Sequence, residues 1–152
     1  KGLYRASTGE VPDEYYEIPL GIGEIVQEGT DVTIVGWGSQ MNVLQAAADK
    51  AEDQLGLSCE LIDLRTILPW DRELVVESVK KTGRLLVSHE APKTSGFGAE
   101  ILATVQEQCF DYLEAPLERV TGYDTPFPLV YEKLYMPDVI RNFEALERIA
   151  YY

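Results

Sequence analysis

The sequence predicts an α/β fold, a largely parallel sheet carrying helices on both faces. Two observations point there. From Glu24 onward, short runs rich in β-branched residues alternate with amphipathic helical stretches, the order of strands and covering helices in such a fold. The first of those runs, Val32-Thr33-Ile34-Val35-Gly36-Trp37, is apolar at nearly every position instead of every second one, so both of its faces must be covered. A chain of 152 residues is long enough for one domain with a full core, and 45% hydrophobic with 26% charged residues is the balance of a folded protein.

Residues 1–19 have no periodicity, contain Pro12 and Pro19, and set Glu10, Asp13, Glu14 and Glu17 around Tyr15 and Tyr16. They read as an arm or linker, leaving residues 20–152 as the domain. Ile25-Val26 offers a short antiparallel partner just ahead of the first buried strand. Ser39 then stands where a helix N-cap is expected, Leu44, Ala47, Ala48, Ala51 and Leu55 follow a 3.6-residue period, and Gly56 ends the helix. Cys59–Leu64 is the next strand. Pro69-Trp70-Asp71 opens a helix through Leu74, Val75, Val76 and Val79, closed by Lys80, Lys81 and Gly83, the two lysines facing the negative helix end. Arg84–Ser88 is a third strand. Gly98 begins a helix with Ile101, Leu102, Val105 and Cys109 on one face, and Glu118–Gly122 is a short further parallel strand. Pro137 and Asp138 start a terminal helix through Val139, Phe143, Leu146 and Ala150.

A net charge of −13 repels nucleic-acid phosphates and anionic lipid heads, so neither is an expected partner. It fits a basic protein partner, or serves only to keep the surface soluble. No apolar run reaches the ~18–20 residues that cross a bilayer, and no signal peptide opens the chain. The first residue is Lys1, so a longer polypeptide carrying any targeting segment elsewhere is expected. Cys59 and Cys109 lie in apolar contexts and read as buried reduced thiols.

Candidate chemistry is sparse. Gly36-Trp37-Gly38-Ser39 invites a dinucleotide reading, but the third glycine of that fingerprint is Met41 here. Asp63, at a strand end, is either a ribose-binding acid or one end of a loop tie to Arg65 and Thr66. His89-Glu90 is either a general base with an orienting acid or a structural or interface pair, with no nucleophile beside it in sequence. One histidine and two separated cysteines make no zinc set. Lys93-Thr94-Ser95-Gly96-Phe97-Gly98 leads into a helix N-terminus, whose free N–H groups suit an anion, either a phosphate or a neighbouring subunit's carboxylate. Asp124-Thr125-Pro126-Phe127-Pro128 is a rigid, aromatic loop of the kind that suits docking, and Tyr123, Tyr131, Tyr135, Tyr151 and Tyr152 crowd the same end of the chain.

Four motifs, EGTDVTIVGWG (28–38), DLRTILPWD (63–71), SHEAPKTSGFGAEI (88–101) and GYDTPFPLVYEKLYMPD (122–138), together resemble the carboxy-terminal domain of the transketolase-like family, in the beta subunit of branched-chain 2-oxoacid dehydrogenases. The resemblance covers nearly the whole chain, beginning at Leu3-Tyr4-Arg5, similar to the linker that leaves the family's pyrimidine-binding domain. His89-Glu90-Ala91-Pro92 resembles the branched-chain member more than the pyruvate one. Ser95 replaces a glycine common in that loop.

The resemblance implies a three-layer α/β/α domain with a five-stranded mixed sheet in the order 1-3-2-4-5, strand 1 antiparallel. It implies thiamine diphosphate and magnesium held outside this chain, between an alpha subunit and the beta subunit's amino-terminal domain, with acyl transfer to a lipoyl arm. On that reading the chain has no catalytic, cofactor or metal residue. Its partners are the alpha subunit and second beta subunit of a heterotetramer, and the basic subunit-binding domain of a dihydrolipoyl acyltransferase. Asp63, Arg65, His89, Glu90, Asp124 and Phe127 are then candidates for holding loops at subunit or domain contacts, and Asp138, Glu144, Glu147 and Tyr152 for docking. The location implied is the mitochondrial matrix in a eukaryote and the cytoplasm in a bacterium. A free-standing flavodoxin-like domain binding a phosphorylated ligand at Gly36–Ser39 or Gly96–Gly98 is the competing reading, as is the pyruvate member of the same family.

Overall fold

A computed structural model describes residues 5 and 8–152; Leu3 and Tyr4 of the expected linker lie outside the described residues. Residues 8–19 carry neither helix nor strand and are exposed. Five strands follow: β1 (Glu24–Gln27), β2 (Val32–Gly36), β3 (Cys59–Asp63), β4 (Leu85–Pro92) and β5 (Glu118–Gly122). Between and after them run α1 (Gln40–Leu55), α2 (Arg72–Thr82), α3 (Gly98–Cys109), a one-turn α4 (Glu132–Tyr135) and α5 (Val139–Ala150). The sheet order is β1-β3-β2-β4-β5, parallel except for β1, which runs antiparallel to β3.

All five residues of β2 are buried, because it is the central strand and both faces are covered. Val32, Ile34, Leu61 and Leu86 meet the small-residue face of α1 (Ala47, Ala48, Ala51) and α5 (Leu146, Ile149) on one side. Val35, Ile62, Leu85 and Val87 meet α2 (Val75, Val79) and α3 (Ile101, Val105) on the other. The sheet also carries buried polar side chains, which are partnered inside the fold at Thr33 and Glu60. Thr33 Oγ1 lies 2.7 Å from both Ser78 Oγ and Thr82 Oγ1, which satisfies three buried hydroxyls against one another. Glu60, also buried, is paired with Lys81. Burial pushes its carboxyl up, and the Lys81 ammonium and the Gly29 N–H help outweigh that, leaving it below the ordinary carboxylate value.

The structure departs from the sequence reading at four places. Ile25-Val26 do form an antiparallel strand, but against β3 and not the following β2: Gly29 lies against the Cys59–Glu60 backbone so closely that a Cβ would sit 2.2 Å from Cys59 C, and the chain crosses β3 there. Ser39 does not cap α1 with its side chain, since its hydroxyl donates to Glu90 instead. The third predicted strand runs on to Pro92, and β5 pairs alongside with a register shift between His89 and Pro92. The helix expected to open at Pro69 begins at Arg72. Its N-cap is Asp71, whose Oδ1 accepts from Leu74 N at 3.1 Å and whose Oδ2 accepts from Gly23 N at 3.0 Å. Asp138 caps α5 in the expected way, accepting from Arg141 N at 2.8 Å. Gly21 N donates to Thr66 Oγ1 at 2.9 Å, so the entry to β1 is held to the β3–α2 loop at two points.

Candidate functional site

Parallel strands deliver their carboxyl ends to one edge, where the connection reverses between β2 and β4 and leaves a crevice. Here that crevice is an aromatic cavity of about 470 Å³ bordered by Trp37, Ser39, Ile67, His89, Glu90 and Phe97. Successive strand residues point to opposite faces, so His89 and Glu90 diverge. The His89 ring is buried, stacked on Trp37 with centroids 5.5 Å apart, and its Nδ1 lies 3.1 Å from Ala91 O. A carbonyl only accepts, which places the proton on Nδ1 and leaves Nε2 as an acceptor. That Nε2 has no partner among the described residues and faces the glycines of the next loop: a Cβ on Gly98 would stand 2.7 Å from it. Burial above all, together with the charge of Arg119, pushes the imidazole below its ordinary value in spite of the Ala91 bond. Glu90 is exposed and accepts from Ser39. The general-base pairing is therefore overturned, because the carboxylate does not orient the imidazole.

The dinucleotide reading fares no better. Gly36 is required by packing, since a Cβ there would lie 2.3 Å from Leu44 Cδ1 of α1, and Glu90 puts a negative charge at the mouth of the crevice where phosphates would enter. After Gly96–Gly98, two of the first-turn amides that an anion would draw on are already used, Ala99 N donating to Gly96 O at 3.0 Å and Glu100 N to Phe97 O at 3.0 Å. Among the described residues no group of three or more His, Cys, Asp or Glu side chains is placed to hold a metal ion.

The remaining candidates sit in loops. Arg65 N donates to Asp63 Oδ1 at 2.9 Å, whereas the Arg65 guanidinium reaches across to Glu24, so the side-chain tie expected to Asp63 is made to β1 instead. Asp124 accepts from Thr94 N at 2.8 Å and from Thr94 Oγ1 at 2.7 Å, fastening the β4–α3 loop to the loop after β5; these bonds hold its carboxyl below the usual range. Phe127 packs edge-on against Tyr135 at 5.1 Å and remains half exposed. Beyond it Leu129, Val130, Tyr131 and Leu134 are 63–87% exposed, a continuous apolar surface on a short chain segment. Ile140, Glu144 and Glu147 on α5, and Tyr151 just past its end, fall three or four residues apart and are all exposed, giving an acidic stripe with an apolar residue at each end. Asp138 and Tyr152 flank that stripe. Cys59 and Cys109 are free and buried, and burial, with Asp31 and Glu52 nearby, pushes the Cys59 thiol up to about 12.

Residues 21–141 match the family model described as transketolase, C-terminal domain. The chain belongs to that family. Over its whole length this transketolase C-terminal domain is 62% identical to the 2-oxoisovalerate dehydrogenase subunit beta, mitochondrial, of Dictyostelium discoideum, covering 41% of that protein. It is 44% identical over the same 152 residues to the pyruvate dehydrogenase E1 component subunit beta of Acholeplasma laidlawii, covering 44% of it. Among solved structures, a split-gene transketolase described as an inactive beta4 tetramer matches 93% of the chain and 45% of its own length, with 28% identity and a TM-score of 0.74. The chain spans less than half the length of the relatives it matches. The family's five-stranded 1-3-2-4-5 sheet with strand 1 antiparallel is the sheet observed here.

Proposed function

We propose that this domain is the assembly and docking part of the beta subunit of a branched-chain 2-oxoacid dehydrogenase. The observation that carries the proposal is the end-to-end identity of 62% to a 2-oxoisovalerate dehydrogenase beta subunit, against 44% for the pyruvate relative. In the intact enzyme thiamine diphosphate with magnesium supplies the carbanion chemistry, outside this chain, and no residue here takes part in a step. What these residues do is hold surfaces in place. Residues 1–19 are the linker from the pyrimidine-binding domain. The apolar segment Phe127–Leu134, braced through Tyr135 and the Asp124–Thr94 bonds, packs against the alpha subunit or the second beta subunit of a heterotetramer. Asp63, Arg65, His89 and Glu90 fix the shape of the loops that meet those neighbours.

The stripe of Glu144 and Glu147, with Asp138 and Tyr152 beside it, receives the basic subunit-binding domain of a dihydrolipoyl acyltransferase. The assembled enzyme acts in the mitochondrial matrix of a eukaryote or the cytoplasm of a bacterium, as part of a multienzyme complex. The deciding experiment titrates the assembled alpha–beta enzyme with that subunit-binding domain at low and moderate salt. Binding that weakens with salt, and weakens about tenfold or more when Glu144 and Glu147 are both changed to Lys, is expected. Absence of binding, or affinity indifferent to both salt and charge reversal, overturns the docking role. The pyruvate reading is tested on the same enzyme by comparing decarboxylation of branched-chain 2-oxoacids with that of pyruvate.

A further inference from the structure

The chain has 26 acidic and 13 basic residues, so a place where basic side chains gather with little acid among them departs from its average. Three of them border one cleft of about 350 Å³ at the carboxyl end of β5: Lys93 from the β4–α3 loop, Arg119 from β5 and Arg141 from α5. None of the three forms an ion pair with a carboxylate among the described residues. The only acid on the cleft lining is Asp124, and both of its oxygens are bound to Thr94. The lining therefore carries three positive charges against one negative charge that is already engaged.

The two arginines are held in position without being used up. Arg141 donates to Thr121 O at 2.6 Å and to Tyr135 O at 3.3 Å, and its guanidinium lies over the Tyr123 ring at 4.5 Å. Arg119 donates to Lys93 O at 3.1 Å. A guanidinium has five N–H donors, so both keep more than half of theirs. Each is half-buried, which strengthens its field relative to that of a fully solvated charge, and the planar fork suits the oxygens of a tetrahedral anion. Lys93 adds a mobile point charge at the rim.

We propose that this cleft binds a dianionic oxyanion of the phosphate class, a free phosphate or the phosphoryl group of a small phosphomonoester. The surplus of two positive charges matches a dianion and exceeds what a single carboxylate would neutralise. The cleft shares the loop 92–98 with the aromatic crevice and Asp124 with the assembly surface, but the donors it offers are ones that neither of those readings uses.

The test is a titration of the 152-residue chain with inorganic phosphate at neutral pH and constant ionic strength, followed by backbone amide shifts. Saturable changes confined to residues 93–94, 119–124 and 141, with a dissociation constant on the order of 1 mM, are expected. Acetate at equal ionic strength should produce no saturable change. Lys93→Gln should weaken phosphate binding about tenfold while leaving the melting midpoint without phosphate unchanged, since the Lys93 side chain is exposed. Glycerol phosphate binding more tightly than phosphate would identify a phosphomonoester as the ligand, and equal binding the free ion. The proposal is overturned by unsaturable shifts, by acetate matching phosphate, or by Lys93→Gln leaving phosphate affinity as it was.

Discussion

The crevice between β2 and β4 and the cleft beyond β5 lie at the same edge of the sheet and share one loop, residues 92–98, yet they treat polar groups in opposite ways. In the crevice Ser39 is bound to Glu90, His89 Nδ1 to Ala91 O, and the imidazole is clamped between Trp37 and a pair of glycines. In the cleft three cations make no ion pair among the described residues. The contrast teaches that the larger, more aromatic hollow is not the one richest in free donors. The crevice leaves His89 Nε2 as a free acceptor, whereas the less aromatic cleft retains unspent donors on two arginines.

Breaking the crevice should have the largest effect. Gly96→Ala would place a Cβ 2.4 Å from Pro92 O and 2.5 Å from His89 Cε1. Neither neighbour can yield easily, one being backbone and the other stacked on Trp37, so a cost of about 2–3 kcal/mol and a melting midpoint lowered by several degrees are expected in thermal denaturation. A midpoint within a degree or so of the parent would mean that the ring is not clamped.

A smaller effect follows from the buried imidazole. Its folded-state value lies below the unfolded value of about 6.5, so the unfolded chain binds the proton more readily. Stability is therefore complete above the unfolded value and is lost as pH falls below it, until the lowered folded value is reached. Denaturation series through the weakly acidic range should show this slope in the parent and a flatter one in His89→Gln; parallel slopes would remove His89 as the source.

The smallest expected change sharpens the comparison from the shared loop. Ser95 adopts φ +61°, the left-handed region that costs a side-chain-bearing residue and that glycine enters freely. Ser95→Gly should raise stability by about 0.5–1 kcal/mol, partly offset by the added freedom of the unfolded chain, with phosphate affinity of the cleft retained. A destabilised variant would mean that the serine side chain supports the loop.

Much of the architecture was legible because period and composition leave little choice: five consecutive buried positions in β2, the alanine face of α1, and the aspartates at 71 and 138 each mark an element before any coordinate is known. The sheet order, and with it β3 as the neighbour of the antiparallel first strand, came from the family resemblance. What failed did so through competition between segments distant in sequence. Ser39 was free to cap α1 until β4 brought Glu90 to it. Arg65 had Asp63 two residues away, but the turn aims its side chain at Glu24. The one-turn helix at 132–135 follows two prolines and has no apolar period to announce it. The basic cleft was invisible for the same reason in larger form: Lys93, Arg119 and Arg141 are scattered over nearly fifty residues, each unremarkable alone, and only the parallel return of β5 beside β4 gathers them.

The two hydrogen bonds at Gly21 and Gly23 have a mechanical consequence. Any tension arriving through residues 8–20 meets Thr66 and Asp71 before it reaches the first strand, and Asp71 is at the same time the residue that starts α2. A pull on the incoming chain is thus delivered to the root of a core helix instead of peeling away an edge strand. The incoming chain is geared to the interior of the domain through one hydroxyl and one carboxylate.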